Sequence, residues 1–388
     1  MMRRDCCLCG ALVEDFESKP WKIPNLGVQT ISYGLCPSCG MVLETDTLSV
    51  EDMNTYYRFN ATYINPGRGG KPSAAKVRVL TRLGNLVQDV FGQMPKSVFQ
   101  VGCSDGYTLS RFKEFGAEIV SGMDLSEASC ELAQRQYGVD VSVGDFESFD
   151  PDGQRYDLFV LTHILEHLYD PAAVLQKCSE MQDDEGRLLV EVPLLENVDC
   201  FSPGSLTLEH LNYFTERTMR QLLARSGYDV KGVFKDFTLS VYPVITLFCQ
   251  KGDVRYDTEF SPSVEVQKFV SDYMEREKIV WGRSNQKIKA AVPKGARAYI
   301  YGAGVHTTQL LANTEIEKYL DIVNILDSSP TKWGCHLGEH ECKGPDDVDH
   351  DNVDVVVISS FNSENEIAKA ITGQYGNAKI LKLYDEPM

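Results

Sequence analysis

Ser97-Val98-Phe99-Gln100-Val101-Gly102-Cys103-Ser104-Asp105-Gly106 decides how the rest of this 388-residue chain is read. An apolar run breaks into glycines where a helix begins, so the stretch reads as a strand, a tight turn and a helix start. Such a turn lets backbone approach a ligand closely and aims N–H groups at it, as on the first strand of a nucleotide- or cofactor-binding α/β sheet. Roughly twenty residues on, Glu118-Ile119-Val120-Ser121-Gly122-Met123-Asp124 reads as a second strand whose terminal carboxylate is placed to hold a ribose hydroxyl pair. Val139-Asp140-Val141-Ser142-Val143-Gly144-Asp145-Phe146 offers another acidic strand end. Tyr156-Asp157-Leu158-Phe159-Val160-Leu161-Thr162-His163-Ile164-Leu165-Glu166-His167 then runs from a buried strand into a His-rich turn.

A nicotinamide dinucleotide fits the first two of these segments, and the later two fit it less well. Their order resembles a class I S-adenosylmethionine (SAM) methyltransferase. The resemblance implies that Gly102 and Gly106 cradle the methionine end, that Asp124 holds the ribose and that Asp145 meets the adenine amino group. Ser104, Asp105, Leu125, Phe146 and His163 are counted with the same cofactor site. Ser104 stands where the common pattern has a third glycine, and a small hydroxylic residue is expected to fit there. Packing around the cofactor accounts for His163 and His167.

Length and ordinary hydrophobicity imply two or three globular domains with ample core. A formal charge of −18 and no Lys/Arg-rich block argue against a nucleic-acid partner. No charged-apolar-small signal opens the chain and no apolar run approaches a membrane span, so a cytoplasmic protein without a membrane partner is expected. Of twelve cysteines, eight lack secreted-type spacing and read mostly as small buried residues. The other four form two Cys-x-x-Cys-Gly knuckles, Cys6 with Cys9 and Cys36 with Cys39. In a reducing compartment matched knuckles point to a structural Zn2+ with four thiolates and no open position. Cys7 is an extra thiol.

The chain divides into a zinc-binding domain and tyrosine-rich linker or lid (1–72), a methyltransferase domain (73–255) and a C-terminal Rossmann-like domain (256–388). The lid reading rests on Tyr56, Tyr57 and Tyr63 followed by Pro66-Gly67-Arg68-Gly69-Gly70, with surface packing of the rings as the alternative. Helices are expected over 73–93, 171–181, 216–226 and 264–279, and strands over 187–193, 228–234 and 244–249. The C-terminal unit repeats the opening device at Tyr301-Gly302-Ala303-Gly304-Val305-His306-Thr307, with a second acidic strand end at Asp327. Scaffold and ligand-binding module are both open for it. A helix N-terminus flanked by His306 and Thr307, with Gly302, Gly304 and Lys332 nearby, suits a phosphate.

Knuckles, SAM fold, Glu-His motif and C-terminal glycine unit in this order resemble the zinc-containing nucleotide-sugar C-methyltransferases of deoxysugar pathways. The family's Gly-x-Asn-Asp-Gly turn is close to Gly102-Cys103-Ser104-Asp105-Gly106. Its Glu-His-x-x-Tyr-Phe motif matches Glu209, His210, Tyr213 and Phe214. Thr207 stands where that family has a tyrosine. The resemblance implies a nucleoside-diphosphate sugar held between the SAM and C-terminal domains, with His210 as base. Beside it, Glu209 is read as either orienting that ring or structural, and Tyr213 as placed to polarise a carbonyl oxygen. An imidazole titrating near neutrality accepts a proton beside a ketone, and the enolate then takes the methyl group. An O-methyltransferase acting on a sugar or other hydroxyl needs the same base without the ketone, and a non-catalytic SAM or sugar-nucleotide binder is the remaining class.

Overall fold

The computed structural model describes residues 2–23, 26–59, 74–196, 201, 203–237, 242–252 and 264–384. Four short strands open the chain: β1 (Met2–Arg3), β2 (Asp15–Ile23), β3 (Gly27–Leu35) and β4 (Val42–Thr47). Alternation in β2 buries Lys19, Trp21 and Ile23 on one face. The knuckles bracket this sheet and repeat one another. Gly10 N–H donates to Cys6 O (2.8 Å) and Gly40 N–H to Cys36 O (3.0 Å), with both glycines at φ +76°. That left-handed geometry is what requires glycine after each second cysteine.

The segment read as a linker from residue 49 is helical at its start. α1 (Val50–Phe59) begins where Ser49 Oγ accepts the Asp52 N–H and donates to the Asp52 carboxylate. Tyr63 and the 66–70 run lie outside the described residues.

From α2 (Ala74–Phe91) the chain alternates strand and helix: β5 (Ser97–Val101), α3 (Tyr107–Glu114), β6 (Ile119–Asp124), α4 (Glu127–Tyr137), β7 (Asp140–Val143), β8 (Leu158–Thr162), α5 (Pro171–Glu180) and β9 (Arg187–Pro193). A two-residue strand β10 (Asn212–Tyr213), α6 (Glu216–Arg225), β11 (Tyr228–Asp236) and β12 (Val244–Lys251) complete the region. The seven strands lie in the order β7-β6-β5-β8-β9-β12-β11, with β12 antiparallel to both neighbours. Along β8, Phe159 and Leu161 enter one core while Leu158 and Val160 enter the other, as expected of a strand covered on both faces. Residue order reverses beside β5, which puts the crevice at the carboxyl ends of β5 and β8.

α7 (Val264–Ala291) continues well past the expected end at Ile279, carried through Gly282 by buried Trp281, Ser284 and Ile288. The C-terminal unit holds β13 (Arg297–Tyr301), α8 (Val305–Asn313), α9 (Ile316–Tyr319), β14 (Asp321–Leu326), β15 (His336–Leu337), β16 (His340–Lys343), β17 (Val355–Ile358), α10 (Glu364–Ile371) and β18 (Lys379–Lys382). Its sheet runs β15-β16-β14-β13-β17-β18, parallel except for the β15–β16 pair.

The expected boundaries are not seams in the packing. Cys6, Leu8, Cys36, Met41 and Leu43 share one core with Phe99, Leu161 and Val190. Trp21, Ile31 and Tyr33 share another with Leu208, Leu211, Tyr213 and Tyr273. A buried ion pair, Lys19 with Glu277, ties β2 to α7. No helix among the described residues is long and apolar enough to cross a membrane.

Candidate active site

The first glycine turn forms a tight cradle. Gly102, Ser104 and Gly106 all have positive φ, at +65°, +48° and +73°. A side chain on Gly102 would meet Ile164 Cδ1 at 2.1 Å. Ser104 therefore fits where the common pattern has glycine, but in a conformation glycine adopts more cheaply. Asp124 closes the turn: its Oδ2 accepts the Ser104 N–H (2.8 Å) and its Oδ1 the Ser126 N–H (2.9 Å). Burial raises the Asp124 carboxyl against the pull of these two donors. Asp105 is occupied at the start of α3, accepting the Tyr107 N–H, and Asp145 accepts the Glu147 N–H. A cavity of about 180 Å³ is lined by Gly102, Asp124, Leu125, Asp145, Phe146 and His163, with Tyr57 of α1, whereas Ser104, Asp105 and Gly106, expected at the same site, do not line it. SAM fits this set, because each Asp124 oxygen keeps acceptor capacity for a ribose hydroxyl and the turn admits no larger backbone.

His163 does more than pack. It follows β8 with φ +56° and its Nδ1 lies 3.1 Å from Glu166 Oε1. Burial alone would lower its pKa, and the Glu166 carboxylate outweighs burial and raises it. Glu166, fully buried, is raised by burial and brought below the ordinary carboxylate value by His163. Two histidines follow different rules from this one. His167 Nδ1–H donates to the Glu209 carbonyl (2.8 Å), which leaves its Nε2 facing Glu166 Oε1 at 4.0 Å.

His210, only 7% exposed, lies edge-on to His167 with ring centroids 4.9 Å apart. Burial, then the neighbouring His167, push its pKa down to about 3. The expectation of an imidazole titrating near neutrality is thus corrected: the ring is held neutral. Glu209 does not orient it. That carboxylate accepts the Tyr56 hydroxyl (2.5 Å) instead. Tyr213 is also reassigned, since its buried hydroxyl donates to Thr207 O (3.0 Å) and is not offered to a ligand. Thr207 Oγ1 accepts the His210 N–H, so the residue departing from the family pattern braces the loop.

His210 and Glu209 line a second cleft of about 570 Å³, closed on its far side by Gly302, Gly304, His306, Lys332 and the 359–363 loop. Tyr242 lines it too, with its ring 5.9 Å from that of His210. Gly302 sits at φ +116°, where a Cβ would meet Ser359 O at 2.6 Å. His306 is no phosphate cation: burial pushes it down to about 4, and its ring nitrogens are taken by Ser359 Oγ (3.0 Å) and the Tyr384 hydroxyl (2.5 Å). Thr307, fully buried, turns its hydroxyl inward to Gly302 O and Ser359 Oγ and leaves the candidate ligand set. Lys332 reaches the cleft but pairs with Asp327 (2.8 Å).

The cysteine quartet assembles as the spacing implied. The sulfurs of Cys6, Cys9, Cys36 and Cys39 all lie within 4.8 Å of one another, with Cys6–Cys39 at 3.5 Å and Cys9–Cys36 at 3.4 Å. Four bonds of about 2.3 Å to a tetrahedral Zn2+ put sulfurs roughly 3.8 Å apart, so the donor set fits that ion. Cys7 points elsewhere, to Asn212 Oδ1 (3.3 Å). Asn212 was missed in the sequence. Its Oδ1 also accepts from Arg4 (3.0 Å), while its Nδ2 donates to Leu165 O (3.1 Å) and Leu168 O (2.7 Å). One amide thus ties the knuckles to the His-rich turn.

Residues 76–231 match the family model described as methyltransferase domain. The ubiquinone biosynthesis O-methyltransferase of Coxiella burnetii is 32% identical over 153 residues, 38% of this chain and 64% of that one. A probable S-adenosylmethionine-dependent methyltransferase of Mycolicibacterium smegmatis is 27% identical over 146 residues, covering 36% and 55%. The chain spans less than two thirds of the length of these curated relatives. The crystal structure of Burkholderia thailandensis 1,6-didemethyltoxoflavin-N1-methyltransferase, with S-adenosylhomocysteine bound, aligns with TM-score 0.43 and 17% identity over 61% of this chain and 100% of that one. With the strand order above, the family match makes the middle of the chain a class I SAM methyltransferase fold.

Proposed function

We propose that this chain is a SAM-dependent methyltransferase whose acceptor is a small molecule held in the 570 Å³ cleft. The carrying observation is that a methyltransferase-domain match coincides with a seven-stranded sheet whose crevice presents Asp124 and the Gly102 turn. SAM, when bound, supplies an activated methyl group. The protein must then place the acceptor in line with it and make that acceptor nucleophilic. His210 lines the cleft, and this reading makes its ring the acceptor of the proton that the substrate loses; burial leaves the ring neutral but a weak base, so binding of the acceptor has to raise its pKa.

The finer reading is C-methylation of a nucleoside-diphosphate keto-sugar, with the enolate carbon as nucleophile. Its support is the Glu209-His210 motif beside a cleft roofed by a second glycine turn and the uncapped start of α8. O-methylation is the second reading, favoured by the O-methyltransferase name of the Coxiella relative. In deuterated water with the demethylated cofactor bound, C-methylation requires washing of deuterium into the carbon beside the ketone, lost in His210→Asn. Methyl transfer without any exchange in the wild type selects the oxygen acceptor. A thermal-shift panel of sugar nucleotides tests the substrate class, and a panel with no shift removes the nucleotide. We propose also that Cys6, Cys9, Cys36 and Cys39 hold a structural zinc, seen as one tightly held equivalent that Cys36→Ser loses together with stability.

A further inference from the structure

A base at His210 uses one ring and leaves its two neighbours without a task. The side chains of Glu166, His167 and His210 each place a ligand atom within 4.8 Å of the others. Glu166 is fully buried. Its Oε1 faces His163, and its Oε2 has no hydrogen-bond partner among the described residues. A buried carboxylate oxygen left this way is costly unless something binds it. The His167 ring is oriented by its backbone contact: Nδ1–H donates to Glu209 O, which turns Nε2 towards the same space. This is how ligating histidines are commonly oriented.

We propose that Glu166, His167 and His210 form a site for a divalent first-row cation where the cofactor cavity meets the acceptor cleft. His167 lines the first space and His210 the second. Two imidazoles and one carboxylate suit Zn2+, Co2+ or Fe2+ better than Mg2+, and three protein ligands leave positions open. The 4.0 Å between Glu166 Oε1 and His167 Nε2 can be spanned by bonds of about 2.1 Å. The open positions lie beside the cleft that His210 lines, so they would take an anionic or polarised acceptor oxygen entering from it. This role rests on the methyl-transfer reading and recasts His210 within it, from proton acceptor to ligand.

The test is cobalt binding by the full-length, zinc-replete protein. One further equivalent of Co2+ should bind, with a visible d–d spectrum and none of the thiolate charge-transfer absorption a cysteine site gives. Glu166→Gln and His167→Gln should each weaken that equivalent by roughly 10- to 100-fold. Circular dichroism and SAM titration show whether each variant is folded, and the second variant serves where the first is not. Chelation should abolish methyl transfer and leave SAM binding intact. The site is overturned by no cobalt beyond the cysteine quartet, by cobalt binding indifferent to both variants, or by full turnover and His210-dependent exchange in chelated protein. Cobalt binding in a protein that takes no SAM would instead keep the ion and remove the methyltransferase reading.

Discussion

The turns after β5 and β13 are built alike and finished differently. In each, an acid at the end of the next strand accepts one N–H from the glycine turn and one from two residues beyond itself: Ser104 and Ser126 on Asp124, Ala303 and Ser329 on Asp327. Among the described residues only Asp327 also carries a lysine, Lys332. An acid without a cation keeps full acceptor strength for hydroxyls, whereas an acid neutralised by lysine does not repel a phosphate. On the proposed function, one backbone device would serve a ribose at the first turn and an anionic acceptor at the second.

The largest expected effect falls on the two acids. Asp124→Ala should weaken SAM binding about 100-fold, close to the loss of two hydrogen bonds to a charged group. Asp327→Ala should leave it within about twofold. Calorimetry showing equal losses would break the contrast. Next come the glycines. Gly302→Ala forces a Cβ onto the Ser359 carbonyl at φ +116° and should cost about 2–3 kcal/mol by denaturant titration. Gly102→Ala should cost less, because the atom it meets is the movable end of Ile164. Ser104→Gly should gain about 0.5–1 kcal/mol by relieving φ +48°.

The smallest effect separates the two histidines by sign. His163, raised by Glu166 over the opposing effect of burial, lends stability that is complete below its ordinary value of about 6.5 and is lost as pH rises through the raised value. Glu166, lowered by His163, keeps its share above the ordinary carboxylate value and loses it as pH falls through the lowered one. His306, depressed to about 4 by burial, does the reverse of His163: its cost to the fold grows as pH falls from about 6.5 towards 4. Relative to His163→Gln, wild type should lose stability as pH rises above about 6.5, and relative to His306→Gln it should lose stability as pH falls from about 6.5 towards 4. Parallel slopes would remove the distinction.

The first turn was legible because strand, glycine spacing and two acidic strand ends reinforce one another within fifty residues or so. The quartet was legible because cysteine at that spacing has few other uses. Side-chain fates inside the Glu-His motif were not. Tyr213 spends its hydroxyl on Thr207 and Glu209 turns to Tyr56 of α1, and each depends on a partner the motif does not announce. The helix α7 runs to Ala291, past the expected Ile279, because burial of Trp281, Ser284 and Ile288 carries it through Gly282. Asn212 carried no sequence signal, since a single amide between apolar neighbours gains meaning only from the four groups around it.

β10 pairs with β4 through Asn212 opposite Leu43 and Tyr213 opposite Val42. Arg4 bonds to Asn212 across 208 residues of sequence. During synthesis, then, the first sheet waits with part of one edge unpaired until the chain beyond β9 has emerged, and its closure is a late, high-contact-order event. The knuckles can close locally and early, so on the zinc proposal metal capture and completion of the sheet would be separate steps in assembly. On that proposal a fragment ending near residue 59 would hold an ion yet lack the strand and the core residues that finish the sheet.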